Sequence, residues 1–517
     1  MTEIDFGEIK STAVFGYSPL AGQDLAAKIA AGTQLSDLPG DFVLTVTGIN
    51  AGGQKYSAVI VSAVCVLPYY YYHDDRQFVH GQNVFAVFQT AQIDWHWNEF
   101  ALRSNIALTF CLDDDSLHRD IKRVAPATIY YYCQSKLTTV ADTFPTDIFD
   151  PQVEYSDRDT LDIYNRVFDE YYGDRQICLS LSGGYDSRVF LASFLQRGIK
   201  PPVATEGSPD SLDVITAKAI AKDFGLEHRT IQLSEADFIA NAPAIIEATS
   251  GEIAMSAAWG PYLFLKRIQF PSQALHLAGT NGGLFKANYA SQAIFYQAAD
   301  LLPNLILKQF FNAYLLYKKR PYQGFPLKAF NCFKQPVSTS ISDRCYQLAK
   351  VVPNFSNQVD YFHTFNRVRN YTGKGLALYN PFNLTSSPFL DRRMVRAGAR
   401  LATKYKLNSY FHQQILLDSC PQLAEYPMNG KNISPSGSTE YDWIVQQSQS
   451  QKGKSTLSKL IKNPELLDLY HNSPHLDYFM ERRDRIKALD QGVFAVFSFL
   501  VSMHYVSEKI AEHRRSD

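Results

Sequence analysis

The chain has 517 residues, of which 46% are apolar and 20% charged, with 50 Lys+Arg against 51 Asp+Glu. This composition excludes an intrinsically disordered chain, and the length suits two to four domains with real cores. A net charge of -1 provides no global basic field for nucleic acid and no acidic field for a basic partner.

The opening Met1–Asp5 is acidic and unlike a signal peptide, and the apolar run Val493–Val506 is too short for a bilayer and contains His504. The expectation is a soluble cytoplasmic protein. The seven cysteines are widely spaced, odd in number and without C-x-x-C, which fits reduced, buried thiols rather than a disulfide scaffold or a zinc ribbon.

In chain order, residues 1–150 read as mostly β. Asp41–Thr47 and Tyr56–Leu67 are rich in β-branched residues, and Gly52-Gly53 between them suits a hairpin turn. Thr128–Cys133 is a further strand, while Trp95–Leu108 and Leu117–Lys122 read as helical. The aromatic runs Tyr69–His73 and Tyr130–Tyr132 fit strand side chains filling a core, or else lining a hydrophobic peptide groove. Trp95-His96-Trp97 reads as packing and Asp113–Asp115 as a solvated acidic loop. A proline-bearing connector at Thr143–Pro151 sets a domain boundary near residue 150.

The pattern then alternates. Asp162–Tyr172 is an amphipathic helix, Arg175–Leu181 a strand, and Arg188–Gln196 a helix with Gly198 just past its end. Pro202–Thr205, Leu212–Phe224 and Ala274–Ala278 continue as strand, helix and strand, which predicts a parallel sheet with crossover helices. Beyond residue 295 the chain turns mostly helical, with a polar loop at Gln446–Thr456.

Between the strand ending at Leu181 and the helix that follows lies Ser182-Gly183-Gly184-Tyr185-Asp186-Ser187. Two glycines allow a sharp turn and close approach of backbone N–H groups, and the helix directs its positive end to the same place. Ser182 and Ser187 add hydroxyls. The set suits a pyrophosphate, with Mg²⁺ between it and Asp186. A Walker A loop is absent.

This loop resembles the pyrophosphate (PP) loop of the N-type ATP pyrophosphatases, and more of the chain resembles the asparagine synthetase family. Gly207–Asp210 with Asp213, Ala217 and Ala221 resembles that family's second strand–helix unit, Pro388-Phe389-Leu390-Asp391 matches its P-F-L-D signature, and Ser116–Pro126 resembles the end of its N-terminal domain. The resemblance implies an α/β parallel-sheet ATP pyrophosphatase domain with a helical C-terminal extension over 151–517. Over 1–150 it implies an α+β sandwich domain of the Ntn-hydrolase (glutaminase-like) type.

The implied activity is AMP-forming ligation. ATP and Mg²⁺ serve a small-molecule or peptide carboxylate, which is adenylated and then attacked by an amine or ammonia; no nucleic acid or membrane is involved, and a homodimer stays open. Leu181, Val203, Ala278 and Gly279 match the positions that cradle adenosine. Ser182, Gly183, Gly184 and Ser187 would hold phosphates, and Asp186 the metal.

The chain departs from the family in three places. Thr2 replaces the glutaminase cysteine, so glutamine hydrolysis is not expected. Ala278–Phe285 lacks the acidic residues that follow the third strand in the family, leaving Asn281 as an uncharged oxygen donor. Gln413 replaces a lysine of a late helix. Lys431 reads as the catalytic cation or as a solvated loop charge, and His412 as a second candidate cation or a helix-surface histidine. Intramolecular amide formation, as in β-lactam and lasso-peptide macrolactam synthetases, is one alternative function. A nucleotide-binding pseudoenzyme is another.

Overall fold

The computed structural model describes residues 4–149, 153–172, 175–253, 255–286, 355–406 and 409–427, with scattered positions in 337–352 and 502–513. Thr2, Lys431 and the polar stretch 446–456 lie outside the described residues.

The first half carries strands β1 (Glu8–Tyr17), β2 (Asp41–Ile49), β3 (Lys55–Val61), β4 (Tyr70–His73), β5 (Phe78–Gly81), β6 (Lys122–Arg123), β7 (Thr128–Cys133) and β8 (Lys136–Ala141). Helices α1 (Gly22–Ala30), α2 (Val84–Ala91), α3 (Glu99–Leu108) and the short α4 (Phe144–Asp147) complete it. An antiparallel sheet runs β1-β2-β3-β7-β8, and a smaller one runs β5-β4-β6. The β2–β3 hairpin turns at the predicted glycines, with Gly53 at φ +76°.

The tyrosine runs follow the pleat. Tyr131 packs with Phe6 and Tyr56 on the α1 side of the larger sheet. Its neighbour Tyr130 faces Tyr71 across the gap between the sheets at 4.7 Å. Tyr70 points the other way, into the core beneath α2 and α3. The order is thus helix, sheet, sheet, helices.

Two expected helices change. The helix drawn from Trp95 begins at Glu99, because the Asn98 side chain accepts from Ala101 N–H and caps it there. Leu117–Lys122 is not helical: the Ser116 hydroxyl donates to the Ile121 carbonyl and the Asp120 N–H to His118 Nδ1, so side chains take the backbone groups a helix would pair.

The second half is a five-stranded, all-parallel sheet. It uses β9 (Ile177–Ser180), β10 (Val203–Glu206), β11 (His228–Ile231), β12 (Leu275–Leu277) and β13 (Thr385–Ser386) in the order β11-β10-β9-β12-β13. Its helices are α5 (Asp157–Tyr172), α6 (Tyr185–Gln196), α7 (Leu212–Phe224), α8 (Glu235–Thr249) and α9 (Met255–Ile268). Then come α10 (Phe355–Phe362), a π-helix (His363–Thr372), α11 (Gly373–Ala377), α12 (Arg392–Arg400), α13 (Thr403–Lys406) and α14 (Tyr410–Ser419). Gly198 at φ +71° ends α6 as predicted. No helix among the described residues is long and apolar enough to cross a membrane.

The halves share one core. Tyr17 stacks on Tyr172 and donates to the Tyr171 carbonyl. Asp113–Asp115 is part of this joint rather than a solvated loop. Asp114 pairs with the buried Arg369 of the π-helix at 2.7 Å, Asp115 pairs with Lys122, and the Asp113 carbonyl accepts from Arg369 and Asn370. Arg123 donates to the Arg369 carbonyl, Asn370 Oδ1 and the Val66 carbonyl, and burial lowers its pKa to about 10. The described cysteines are free, with Cys65, Cys111, Cys178 and Cys420 buried.

On β12, His276 is fully buried between Ser180 Oγ (2.7 Å) and Thr385 Oγ1 (3.2 Å), and burial pushes its pKa down to about 3. The native ring stays neutral while an unfolded one, near 6.5, takes a proton. Between about pH 6.5 and 3 the unfolded state therefore binds more protons, and stability falls as pH falls, by up to about 1.4 kcal/mol per pH unit. Urea midpoints from pH 7.5 to 5 are expected to drop in wild type and to be flatter in His276→Asn. Parallel profiles would assign the acid sensitivity elsewhere.

Candidate functional site

The chain winds outward from β9 through β10 to β11, then returns to β12 on the other side of β9. The strand order reverses between β9 and β12, and in open parallel sheets the crevice at the carboxyl end of such a point receives ligands. Here the loops after β9 and β12 meet there.

The loop after β9 is Ser182–Ser187. Gly184 is the N-cap of α6, without a side-chain cap, so the first amides of a 12-residue helix face this crevice. The loop is internally bonded. Ser187 Oγ accepts from Ser182 N–H at 3.1 Å, Ser182 Oγ accepts from Gly184 N–H at 3.2 Å, and Asp213 Oδ1 accepts from Gly183 N–H at 2.7 Å. Asp213 lies in the first turn of α7, in the unit that resembles the family's second strand–helix unit.

Arg188 fixes the loop from behind. It is buried, and its guanidinium donates to the Gly183 carbonyl (2.5 Å) and to the carbonyls of Leu423 (3.3 Å), Tyr426 (2.8 Å) and Pro427 (2.5 Å).

The loop after β12 wraps Asp186. A side chain at Gly279 would place its Cβ 2.5 Å from Asp186 Cβ, and one at Gly282 would place it 2.3 Å from Asp186 Oδ1. Only glycine allows this approach. From the same loop Lys286 Nζ reaches Asp186 Oδ1 at 2.6 Å. His412 of α14 reaches the same oxygen through Nε2 at 2.8 Å. Burial alone would raise the Asp186 pKa, but the His412 hydrogen bond and the Lys286 charge outweigh it and hold the carboxyl at about 2. His412 is completely buried, not a helix-surface residue, and burial lowers its pKa despite Asp186. Its ring edge stands against the Asp186 carboxylate.

Beside this lies a cavity of about 460 Å³, whose lining includes Ser180, Ala278, Gly279, Asn281, Arg367 and Tyr379. The turn from Gly279 to Gly283 is the common wall of the cavity and the Asp186 cluster. The π-helix contributes His363, Arg367 and Tyr371 to the opposite side.

The predicted adenosine positions divide. Ala278 and Gly279 line the cavity. Leu181 and Val203 are buried in the core, with Leu181 N–H bonded to the Ala204 carbonyl and Val203 N–H to the Glu227 carbonyl. The P-F-L-D signature acts as packing. Phe389 lies 5.1 Å from Phe190 and 5.4 Å from His412, its carbonyl accepts from Asn281 Nδ2, and Asp391 caps α12 through Arg393 N–H.

The sequence reading missed Lys286 and the role of Asp213. Lys286 follows directly on the segment noted for its missing acids, and that gap was the available signal.

Among the described residues, metal-ligating side chains gather at two positions. At Asp186 the donors do not fit a hard divalent ion, which seeks several oxygens with one or two carboxylates. The groups acting most strongly on Asp186 are Lys286 and His412, a cation and a nitrogen donor. Asn281 Oδ1, buried and without a hydrogen-bond partner, adds one uncharged oxygen. In the first half, His96, His118 and Asp120 bring ligand atoms within 4.8 Å of one another. However, His118 Nδ1 accepts from Asp120 N–H and Nε2 contacts the Asp94 carbonyl at 3.0 Å, so neither nitrogen keeps a lone pair for a metal.

Residues 165–285 match the family model for asparagine synthase. The match runs from within α5 through the Ser182–Ser187 loop to Phe285. It supports a ligase of the ATP-dependent, amide-forming kind, and does not extend to the N-terminal half. No curated protein matches the chain.

Proposed function

We propose that this chain is an ATP-dependent amide-bond ligase of the asparagine synthetase type. It adenylates a carboxylate and passes the acyl group to an amine or ammonia. The observation that carries this reading is the uncapped start of α6 at the strand-order reversal, sharing the Gly279–Gly283 wall with a cavity large enough for a small substrate.

In this reading the β- and γ-phosphates of ATP lie at Ser182–Ser187, and the adenosine lies along the ends of β9, β10 and β12, near Ala278 and Gly279. The acyl substrate occupies the cavity, with Arg367 on its far wall. A carboxylate oxygen of the substrate attacks the α-phosphorus, the bond to the bridging oxygen breaks, and pyrophosphate leaves. The amine nitrogen then attacks the acyl carbon, AMP leaves with its oxygen, and the nitrogen gives up a proton. Donors at the loop act on charge that builds on the departing pyrophosphate. Lys431 remains the candidate cation for the first step, and His412 is a positioning residue for Asp186. An amine within the substrate itself would serve equally.

A second reading, a nucleotide-binding pseudoenzyme, is favoured by one observation: the Gly183 N–H is already taken by the Asp213 carboxylate. ATP–[³²P]pyrophosphate exchange over a panel of carboxylates separates the two. Exchange that requires one class of carboxylate is expected. ATP binding without exchange for any carboxylate would favour the second reading.

A further inference from the structure

The carboxylate that the loop motif reserves for a metal ion is already matched with a charge from the protein itself. Lys286 Nζ stands 2.6 Å from Asp186 Oδ1, an oxygen shielded from solvent. Asp186 is in the first turn of α6, so this ammonium lies beside the helix end where anions are favoured. Gly279 and Gly282 press against Asp186 so closely that no side chain from either position could enter to complete a metal shell. His412 fills a further side. A divalent ion seeking Asp186 would meet a fixed positive charge within van der Waals reach of its ligand, and repulsion at such distances is large in a partly desolvated site.

We propose that Lys286 is a built-in cation. Held on Asp186, its ammonium takes the place of a divalent ion by cancelling the carboxylate's charge, so that the phosphates of a bound nucleotide meet the start of α6 without a like charge beside it and ATP binds this chain without a metal. The inference rests on the nucleotide-binding reading above. With Asp186 ionised, Lys286 charged and His412 neutral, the three side chains sum to zero. The partial positive charge of the α6 terminus is then left to attract an anion. The arrangement exchanges a dissociable divalent charge for a permanent monovalent one, tethered beside the loop by its carboxylate.

Calorimetric titration of the full chain with ATP, once in EDTA and once in excess Mg²⁺, tests this. Affinities in the two buffers are expected to agree within about threefold. Lys286→Met should weaken binding in EDTA by about tenfold or more, with far-UV dichroism and melting temperature reporting that the variant is folded. Lys286→Glu should restore a carboxylate pair and make ATP binding depend on Mg²⁺, with Mn²⁺ binding visible by electron paramagnetic resonance. Wild-type binding seen only with Mg²⁺ would overturn the proposal while leaving the ligase reading intact. A folded Lys286→Met protein with undiminished affinity in EDTA would also overturn it. Absence of ATP binding in both buffers would remove the nucleotide reading and the proposal with it.

Discussion

Lys374→Met is expected to destabilise the protein by about 3–5 kcal/mol, the usual cost of leaving one member of a buried ion pair without its partner. Lys374 and Glu252 are 3% and 0% exposed at their side chains and form a direct salt bridge. Burial lowers the Lys374 pKa, and the Glu252 carboxylate counters that. Glu252 also accepts from the Tyr70 hydroxyl (2.5 Å) and from Leu117 N–H (3.1 Å). One carboxylate thus ties β4, the loop before β6, the segment after α8, and α11. With the ammonium gone, the hydrogen-bond donors left to it among the described residues are neutral, in a medium that solvates charge poorly. Urea denaturation should show the loss, and Glu252→Gln in the same background should recover much of it by removing the stranded charge. A single variant within about 1 kcal/mol of wild type would mean that water reaches the pair.

The second large effect is expected at Arg188. Arg188→Met leaves four carbonyl acceptors without their donor: Gly183 in the loop, and Leu423, Tyr426 and Pro427 in the segment behind it. Hydrogen bonds from a charged donor contribute about 1.5–3 kcal/mol each, and buried acceptors left bare add a desolvation cost, so a loss of at least about 3 kcal/mol is expected. Because Gly183 belongs to the loop proposed to hold the ATP phosphates, ATP affinity should fall as well, even under conditions where the variant is fully folded. Arg188→Lys, with a point charge in place of a planar fork, should restore little. Loss of stability with unchanged ATP affinity would confine Arg188 to the fold.

How much of this was legible in the sequence depends on how far apart the cooperating residues lie. The Ser182–Ser187 loop is six consecutive residues between a strand and a helix, so its shape was readable from local rules. Leu212–Phe224 was bounded to the residue, because Ser211 caps it and Gly225 ends it. The Asp186 cluster joins positions 186, 286 and 412, and nothing local to His412 distinguishes a buried partner of Asp186 from a surface histidine. β13 is two residues long, too short for any alternation to register, yet it closes the parallel sheet. The π-helix escaped for another reason. Its composition is that of an ordinary helix, and nothing in its residue types sets the wider winding apart.

That winding restricts how this stretch can vary. Over His363–Thr372 the backbone follows i→i+5 bonding, with His363, Arg367 and Tyr371 toward the cavity and Arg369 and Asn370 toward the first half. An α-helix advances by about 100° per residue, so a residue gained or lost here that the winding does not absorb would rotate everything downstream by roughly that angle. Lys374, the next charged residue along, would be carried off Glu252. The side chains of this stretch are largely buried, yet conservative exchanges keep their directions, whereas its number of residues is fixed at both ends. Insertions and deletions, rather than substitutions, are therefore the changes this segment tolerates least.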